Sequence, residues 1–236
     1  MQAAMLDRVG EDDEVNWRAW HAEYDQAGSR LERRLAVVNE LLRVALSSGR
    51  PGPLRLLSAC AGEGRDVLGV LPEHPRGGEV TALLVEADPN IAAGTAELAR
   101  RLGLEIAVQV GDAGVAGSYA TVVPVDVALF CGVFGNITPD DVAMTVSKMA
   151  TLLAPGARVI WTRGRDQADD PTGAIRTWFG EAGFVEEAFV APEDDVFRSG
   201  RSSFSVGMHR LVAPPAHYEP DLRLFDFIGY RRVRRS

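Results

Sequence analysis

The alternation of short apolar segments with helix-like segments limits the folds open to this chain. Strand-like segments are predicted at 54–59, 79–87, 105–112, 125–134, 157–163, 184–191 and 204–211. Helices are predicted at 64–71, 89–103, 140–156 and 173–183. Nearly continuous apolar strands separated by helices indicate an α/β protein, in which helices cover both faces of a mostly parallel sheet. The last two strands have no helix between them, which predicts an antiparallel strand at the sheet edge.

Three further segments flank this region. Residues 1–16 are acidic and are expected to be a flexible N-terminus. Residues 17–53 are interpreted as an N-terminal helical lid, in which Ser29 and Glu32 form a capping box. Residues 213–236 form a C-terminal extension that ends in an arginine-rich tail. No boundary divides 54–212 into two domains.

Charge and composition exclude several classes of function. The net charge of −8 leaves no electrostatic footprint for nucleic acid. The longest apolar runs are too short to span a membrane, and the acidic N-terminus does not resemble a secretory signal, so a cytoplasmic location is expected. The two cysteines, Cys60 and Cys131, lack metal-site spacing and are interpreted as buried structural thiols that follow neighbouring strands. Nothing in the sequence indicates an oligomeric state.

The segment SACAGEGRD, residues 58–66, is typical of a nucleotide-binding turn after a first strand. A dinucleotide fingerprint requires three glycines, but only Gly62 and Gly64 match and Val67 occupies the third position. Glu63 would also repel a pyrophosphate held in the turn. A P-loop is absent from the sequence. The turn therefore predicts a site for a nucleoside without a phosphate.

Two acids occupy the places where such a nucleoside would need them. Ligands of parallel sheets lie beyond the carboxyl ends of the strands. Glu86 ends the second strand and can accept hydrogen bonds from both ribose hydroxyls, while Asp112 follows the third strand and can accept from an adenine amino group. These requirements match S-adenosylmethionine. Alternatively, Glu86 is a water-facing strand-end acid and Asp112 an Asx-type turn residue.

Taken together, LLSACAGEGRD, LLVEADPN, VGDA, VDVALFCGVF, LLAPGARVIWT and GFVEEAFVA…FSVGMHRL resemble the class I S-adenosylmethionine-dependent methyltransferases. The resemblance implies a Rossmann-like, seven-stranded, mostly parallel sheet with an antiparallel last strand, and a cofactor-binding domain over 54–212. It assigns these residues to the cofactor: Ala59, Cys60, Ala61, Gly62, Gly64, Asp66, Glu86, Ala87, Asp112, Ala113, Phe130 and Cys131. The family often carries an acid and a glycine where this chain has Ser58 and Cys60.

The resemblance implies in-line methyl transfer, for which the protein mainly supplies orientation and a dry pocket. The candidates for a general base are His21, Tyr24 and Asp166. Because the signature of amino-methylating nucleic-acid enzymes is missing after the fourth strand, we expect a small-molecule acceptor. The substitutions at Ser58 and Cys60 also leave open a protein that binds the cofactor without methylating, or one that performs another reaction on this scaffold. His209 is interpreted as a structural histidine.

Overall fold

The computed structural model describes residues 22–165, 170–192 and 203–228. The strands are β1 (Leu54–Ala59), β2 (Val80–Glu86), β3 (Ile106–Val110), β4 (Val125–Phe130), β5 (Leu153–Arg165), β6 (Phe184–Val190) and β7 (Ser203–Leu211). The helices are α1 (Arg30–Ser47), α2 (Arg65–Leu68), α3 (Pro89–Arg101), α4 (Pro139–Lys148) and α5 (Thr172–Glu181). Short 3₁₀ turns cover Ala22–Asp25, Gly77–Glu79, Ala116–Tyr119 and Met149–Thr151.

The seven strands form one sheet in the order β3-β2-β1-β4-β5-β7-β6. All neighbours from β3 to β5 are parallel, and β7 is antiparallel to both β5 and β6. The prediction of a mostly parallel sheet with an antiparallel last strand is confirmed. The expected edge position is wrong, because β7 lies between β5 and β6. The connection through α5 leaves a gap of one strand between β5 and β6, and β7 fills this gap by pairing with both.

Side chains from the two faces of the sheet form separate apolar clusters. Residues of α1, including Leu42, pack with Leu56 of β1 on one face. Residues of α4 and α5, including Phe179, pack with Leu57 of β1 on the other. Alternate residues of a strand point to opposite faces, so a single strand supplies both clusters. This arrangement confirms that helices cover both faces.

Local signals position the first helix and the connection after α4. The Ser29 hydroxyl accepts a hydrogen bond from the Glu32 amide at 3.0 Å, which confirms the N-terminal cap of α1. The helix predicted over 140–156 is too long, since α4 ends at Lys148 and β5 begins at Leu153. Pro155 cannot donate the backbone hydrogen bond that a continuing helix requires, and it lies within β5 instead.

Residues 214–228 form a strap that packs across the ends of β3 and β4. The Leu224 amide donates to the carbonyl of Gly114 at 2.7 Å, and the Ile228 amide donates to that of Asn136 at 3.0 Å. Leu224 and Phe225 are fully buried in the same cluster as Phe179. The described part of the C-terminal extension is thus integral to the core. Among the described helices, none is long and apolar enough to cross a membrane.

Candidate functional site

The strand order reverses between β1 and β4, and ligands of open α/β sheets bind beyond the carboxyl ends of strands at such a point. The turn at 60–64 follows β1 and enters α2. Its Ala61 amide donates to the carbonyl of Val85 at 3.0 Å, and its Gly64 amide donates to the carbonyl of Ala61 at 2.9 Å. These bonds hold the turn against the end of β2.

Cys60 adopts the backbone conformation that a glycine would supply. Its φ is 55°, and among the described residues it is the only non-glycine residue with a positive φ. Gly62 and Gly64 follow with φ of 55° and 64°. A Cβ at Gly64 would lie 2.8 Å from the Leu84 side chain, so glycine is required there both by conformation and by space. The turn therefore keeps its left-handed backbone although its first glycine is absent.

Glu86 is locked into this turn. One carboxylate oxygen accepts a hydrogen bond from the Gly62 amide at 2.8 Å, and the other accepts one from the Asp88 amide at 2.9 Å. The side chain is half-buried, unlike a plain water-facing acid, while Ala87 is exposed beside it. Because a carboxylate has about four lone-pair sites, both oxygens retain capacity for a ligand diol.

Asp112 is engaged in two ways that connect it to the rest of the chain. Its Oδ1 accepts from the Gly114 amide at 2.8 Å, as in an Asx-type turn. Its Oδ2 accepts from the Arg223 guanidinium of the strap at 2.7 Å. The sequence reasoning missed Arg223, and no local motif marks this arginine. The neighbouring Ala113 is buried, and its carbonyl accepts from the Tyr119 hydroxyl at 2.6 Å.

The Cys60 thiol lies near the carboxylates of Glu86 and Asp112. Burial raises the pKa of the Cys60 thiol well above its usual value, and the nearby Glu86 and Asp112 carboxylates raise it further. The thiol is therefore protonated and unreactive at neutral pH. The structure brings the predicted turn and both predicted acids to one place.

A second group of side chains lies around Asp66. Burial raises the pKa of the Asp66 carboxyl to about 6, a shift that the nearby Arg34 partly offsets. Arg34 of α1 is buried and donates to the Tyr24 hydroxyl at 2.6 Å. Burial and Asp66 also raise the pKa of the Cys131 thiol. A carboxylate at this depth is suited to a cationic ligand group.

The catalytic candidates have different outcomes. Burial raises the pKa of Tyr24, so its hydroxyl stays protonated and can donate a hydrogen bond but is a poor general base. His21 and Asp166 lie outside the described residues. Within the part of the chain that the structure describes, no group of His, Cys, Asp and Glu side chains could hold a metal ion.

Four residues singled out in the sequence, Cys60, Phe130, Cys131 and His209, pack in the core. Cys60 packs against the cluster of α4 and α5 and Cys131 against the cluster of α1, so the two free thiols face opposite sides of the sheet. The Phe130 side chain is completely buried, with its ring 6.3 Å from that of Phe134. His209 accepts a hydrogen bond from Trp161, and burial lowers its pKa to about 4, so it remains neutral.

A second turn, residues 131–136, follows β4 and lies at the carboxyl ends of β4 and β5. The Gly132 amide donates to the Thr162 hydroxyl at 2.8 Å, and the Asn136 side chain donates to the Gly132 carbonyl at 2.6 Å. Gly135 is exposed at the tip of this turn. The Arg163 guanidinium lies 3.4 Å from the position that a Cβ of Gly135 would take.

Comparison by sequence finds no matching family model and no matching curated protein. Comparison by structure finds 1,6-didemethyltoxoflavin-N1-methyltransferase from Burkholderia thailandensis, bound to S-adenosylhomocysteine, with a TM-score of 0.57 and 18% identity over 84% of this chain and 90% of that one. The cyclopropane synthase MmaA2 from Mycobacterium tuberculosis gives 0.59 and 11% over 80% and 88%. The [4+2]-cyclase SpnF gives 0.55 and 16% over 76% and 80%.

These similarities show the fold. The chain has the architecture of class I S-adenosylmethionine-dependent methyltransferases, as the resemblance of its motifs indicated. Proteins with this architecture include enzymes that act on small molecules.

Proposed function

We propose that this protein is an S-adenosylmethionine-dependent methyltransferase that acts on a small-molecule acceptor. The observation that carries the proposal is the bond of 2.8 Å between the Gly62 amide and the Glu86 carboxylate. It joins the glycine turn after β1 to the acid at the end of β2, next to the point where the strand order reverses. A ribose diol placed there would find a fixed acceptor with unused lone pairs.

The charges of the site favour this ligand over a dinucleotide. Glu86 and Asp112 both lie near Cys60, and Glu63 lies within the turn. Arg65 offsets the charge of Glu63 and Arg223 that of Asp112, whereas Glu86 has no cationic partner among the described residues. The Glu86 carboxylate would therefore repel a pyrophosphate but accept hydrogen bonds from hydroxyl and amino groups. On this proposal Glu86 holds the ribose, and Asp112 accepts from the adenine amino group while retaining Arg223.

The cofactor, when bound, supplies a methyl group already activated by its positively charged sulfur. The residues of this chain bind the cofactor and the acceptor, orient them and exclude water from them. Asp66 holds the ammonium of the methionine end, and Arg34 with Tyr24 covers that side. Because Tyr24 stays protonated, it orients a reactant and does not remove a proton. Such positioning accounts for much of the barrier reduction in a displacement with a preformed electrophile.

The small-molecule acceptor is supported by charge and by structural similarity. The net charge of −8 disfavours a polyanionic nucleic-acid substrate. The toxoflavin enzyme, which shares this architecture over most of both chains, is named for a small heterocycle.

A second candidate is a protein of this architecture that carries out a different reaction. Cys60 places a side chain on a backbone position that favours glycine, next to the proposed nucleoside site. SpnF shows that the architecture also supports a cyclase. This candidate would bind the cofactor without transferring its methyl group.

Titration calorimetry with S-adenosylmethionine, S-adenosylhomocysteine and NAD⁺ tests the proposal. We expect binding of the first two only. Glu86→Gln should weaken both by at least about tenfold, because an amide nitrogen would face one of the two backbone N–H donors. Glu79→Gln, a change at an exposed acid paired with Arg76, is the matched control and should bind normally. Failure to bind either sulfur compound would overturn the proposal, and binding without labelling of any metabolite by methyl-labelled cofactor would favour the second candidate.

A further inference from the structure

Arg163 differs from the other arginines of its strand. Arg158 pairs with Glu187 at 2.7 Å, and Arg165 pairs with Asp170 at 2.7 Å. Arg163 lies between these two arginines in the sequence of β5 and is half-buried. Its guanidinium, however, makes no ion pair or hydrogen bond with any residue that the structure describes. A half-buried cation without a partner is unusual, because it loses hydration without gaining a counter-charge.

The Arg163 guanidinium lies beside the turn that follows β4. Its Nη1 is 3.4 Å from the Cβ position of Gly135, which is exposed and carries no side chain to cover the charge. The adjoining turn is held rigid by the bonds from Gly132 to Thr162 and from Asn136 to Gly132. The positive charge of Arg163 therefore projects from a strand and lies beside a hydrogen-bonded turn.

A second guanidinium approaches the same strand end from another element. Nη1 of Arg30, at the start of α1, lies 3.7 Å from the Cβ position of Gly164. Two positive charges thus flank the carboxyl end of β5 in a chain of net charge −8. Positive charge attracts an anionic ligand and helps to fix its orientation.

This location is separate from the proposed nucleoside site. Glu86 and Asp112 belong to the ends of β2 and β3, whereas Arg163 belongs to the end of β5, across the reversal point. If the nucleoside occupies the first half, the second half is the space left for the acceptor.

We infer that the acceptor carries a carboxylate, which pairs with the Arg163 guanidinium. The planar fork of arginine matches the two oxygens of a carboxylate in a bidentate pair. The single negative charge of the carboxylate then neutralises the single positive charge of Arg163. The inference rests on the proposed function only in calling the ligand an acceptor. The anion site itself stands on the geometry of β5 and the turn at 131–136.

A binding experiment tests the anion site directly. Saturation-transfer NMR with benzoate, its neutral isostere benzamide, and inorganic phosphate would be recorded on the full chain, with and without S-adenosylhomocysteine. We expect benzoate to bind at millimolar concentration and benzamide not to bind. Arg163→Gln should reduce the benzoate affinity by at least about tenfold, Arg163→Lys should retain part of it, and Arg43→Gln, a change at an arginine paired with Glu40 on α1, should leave it unchanged.

Three results would overturn the inference: no binding of benzoate, equal binding of benzamide, or equal binding of benzoate to Arg163→Gln. Tighter binding of phosphate than of benzoate would overturn the carboxylate assignment. Binding of S-adenosylhomocysteine, measured on the same variants, separates this inference from the proposed function. We expect Arg163→Gln to bind S-adenosylhomocysteine normally. If the unmodified protein does not bind S-adenosylhomocysteine, the proposed function is overturned, and the benzoate result still decides the anion site.

A transfer assay then connects the site to the acceptor. Metabolites separated by anion exchange would be incubated with methyl-labelled cofactor and the unmodified protein. The inference expects the labelled compound in the retained, anionic fraction and a loss of labelling in Arg163→Gln. Labelling confined to the unretained fraction would contradict it.

Discussion

At the scale of single residues, Cys60 holds a strained backbone next to the proposed nucleoside site. A side chain at a left-handed φ costs about 1–2 kcal/mol, whereas glycine adopts it freely. We therefore expect Cys60→Gly to exceed Cys60→Ala in unfolding free energy by about 1 kcal/mol, measured by urea denaturation. Both variants lack the thiol, so their difference isolates the backbone.

The control for this comparison is Ala93→Gly in the exposed part of α3, where φ is ordinary. There the sign should reverse, and glycine should be less stable by about 1 kcal/mol. A Cys60→Ala protein more stable than Cys60→Gly would show that the left-handed conformation is not strained.

Asp66 gives the proposed site a dependence on pH. Burial raises its pKa to about 6, so the carboxylate is charged above that pH and neutral below it. A cationic ligand group is attracted only to the charged form. The affinity for S-adenosylmethionine should thus fall as the pH is lowered from 7 to 5, as calorimetry would show. Asp66→Asn should bind weakly and with little change over this range, and an equally steep profile in that variant would exclude Asp66 as the source.

At the scale of elements, the contact between β5 and β7 depends on a missing side chain. Gly207 pairs with Trp161, and a Cβ at Gly207 would lie 2.4 Å from the indole ring. Trp161 is fully buried and stacks on Phe179, so it has no room to move. We expect Gly207→Ala to lower the unfolding free energy by about 1–3 kcal/mol or more.

Gly94→Ala in α3 is the matched control, since nothing lies within 4 Å of its Cβ position. It should stabilise the protein slightly, because alanine is the better helix former. Equal effects of the two substitutions in thermal unfolding would show that β7 can shift away from Trp161.

The elements show how far local patterns predict this fold. Strand and helix periodicity placed all seven strands, and the cap at Ser29 placed the start of α1. The end of α4 and the interior position of β7 were not predicted. The end of α4 depends on the competition between helix and strand near Pro155. The position of β7 depends on which strands it pairs with, and its own residues do not encode that choice.

At the scale of the whole molecule, the strap joins the C-terminal region to the core and to Asp112. Phe225 is fully buried, so Phe225→Ala should lower the unfolding free energy by about 3–5 kcal/mol through lost burial and a cavity. Because the strap shares a core cluster with α4 and α5, unfolding should remain a single transition when followed by calorimetry.

Ile228→Ala provides the comparison, since Ile228 is 46% exposed and the loss of its side chain should cost less than about 1 kcal/mol. A separate low-temperature transition in Phe225→Ala would show that the strap unfolds independently of the sheet.

The placement of Glu86 and Asp112 near the glycine turn was predictable from the chain alone. Each acid follows a parallel strand, and the carboxyl ends of parallel strands meet at one edge, so short-range pattern was sufficient. The partners of the site residues were not predictable. Arg223 reaches Asp112 across 111 residues, Arg34 is buried against Tyr24, and Arg163 finds no counter-charge among the residues that the structure describes. These contacts depend on how distant segments pass one another in the folded chain, and no periodicity or motif records that path.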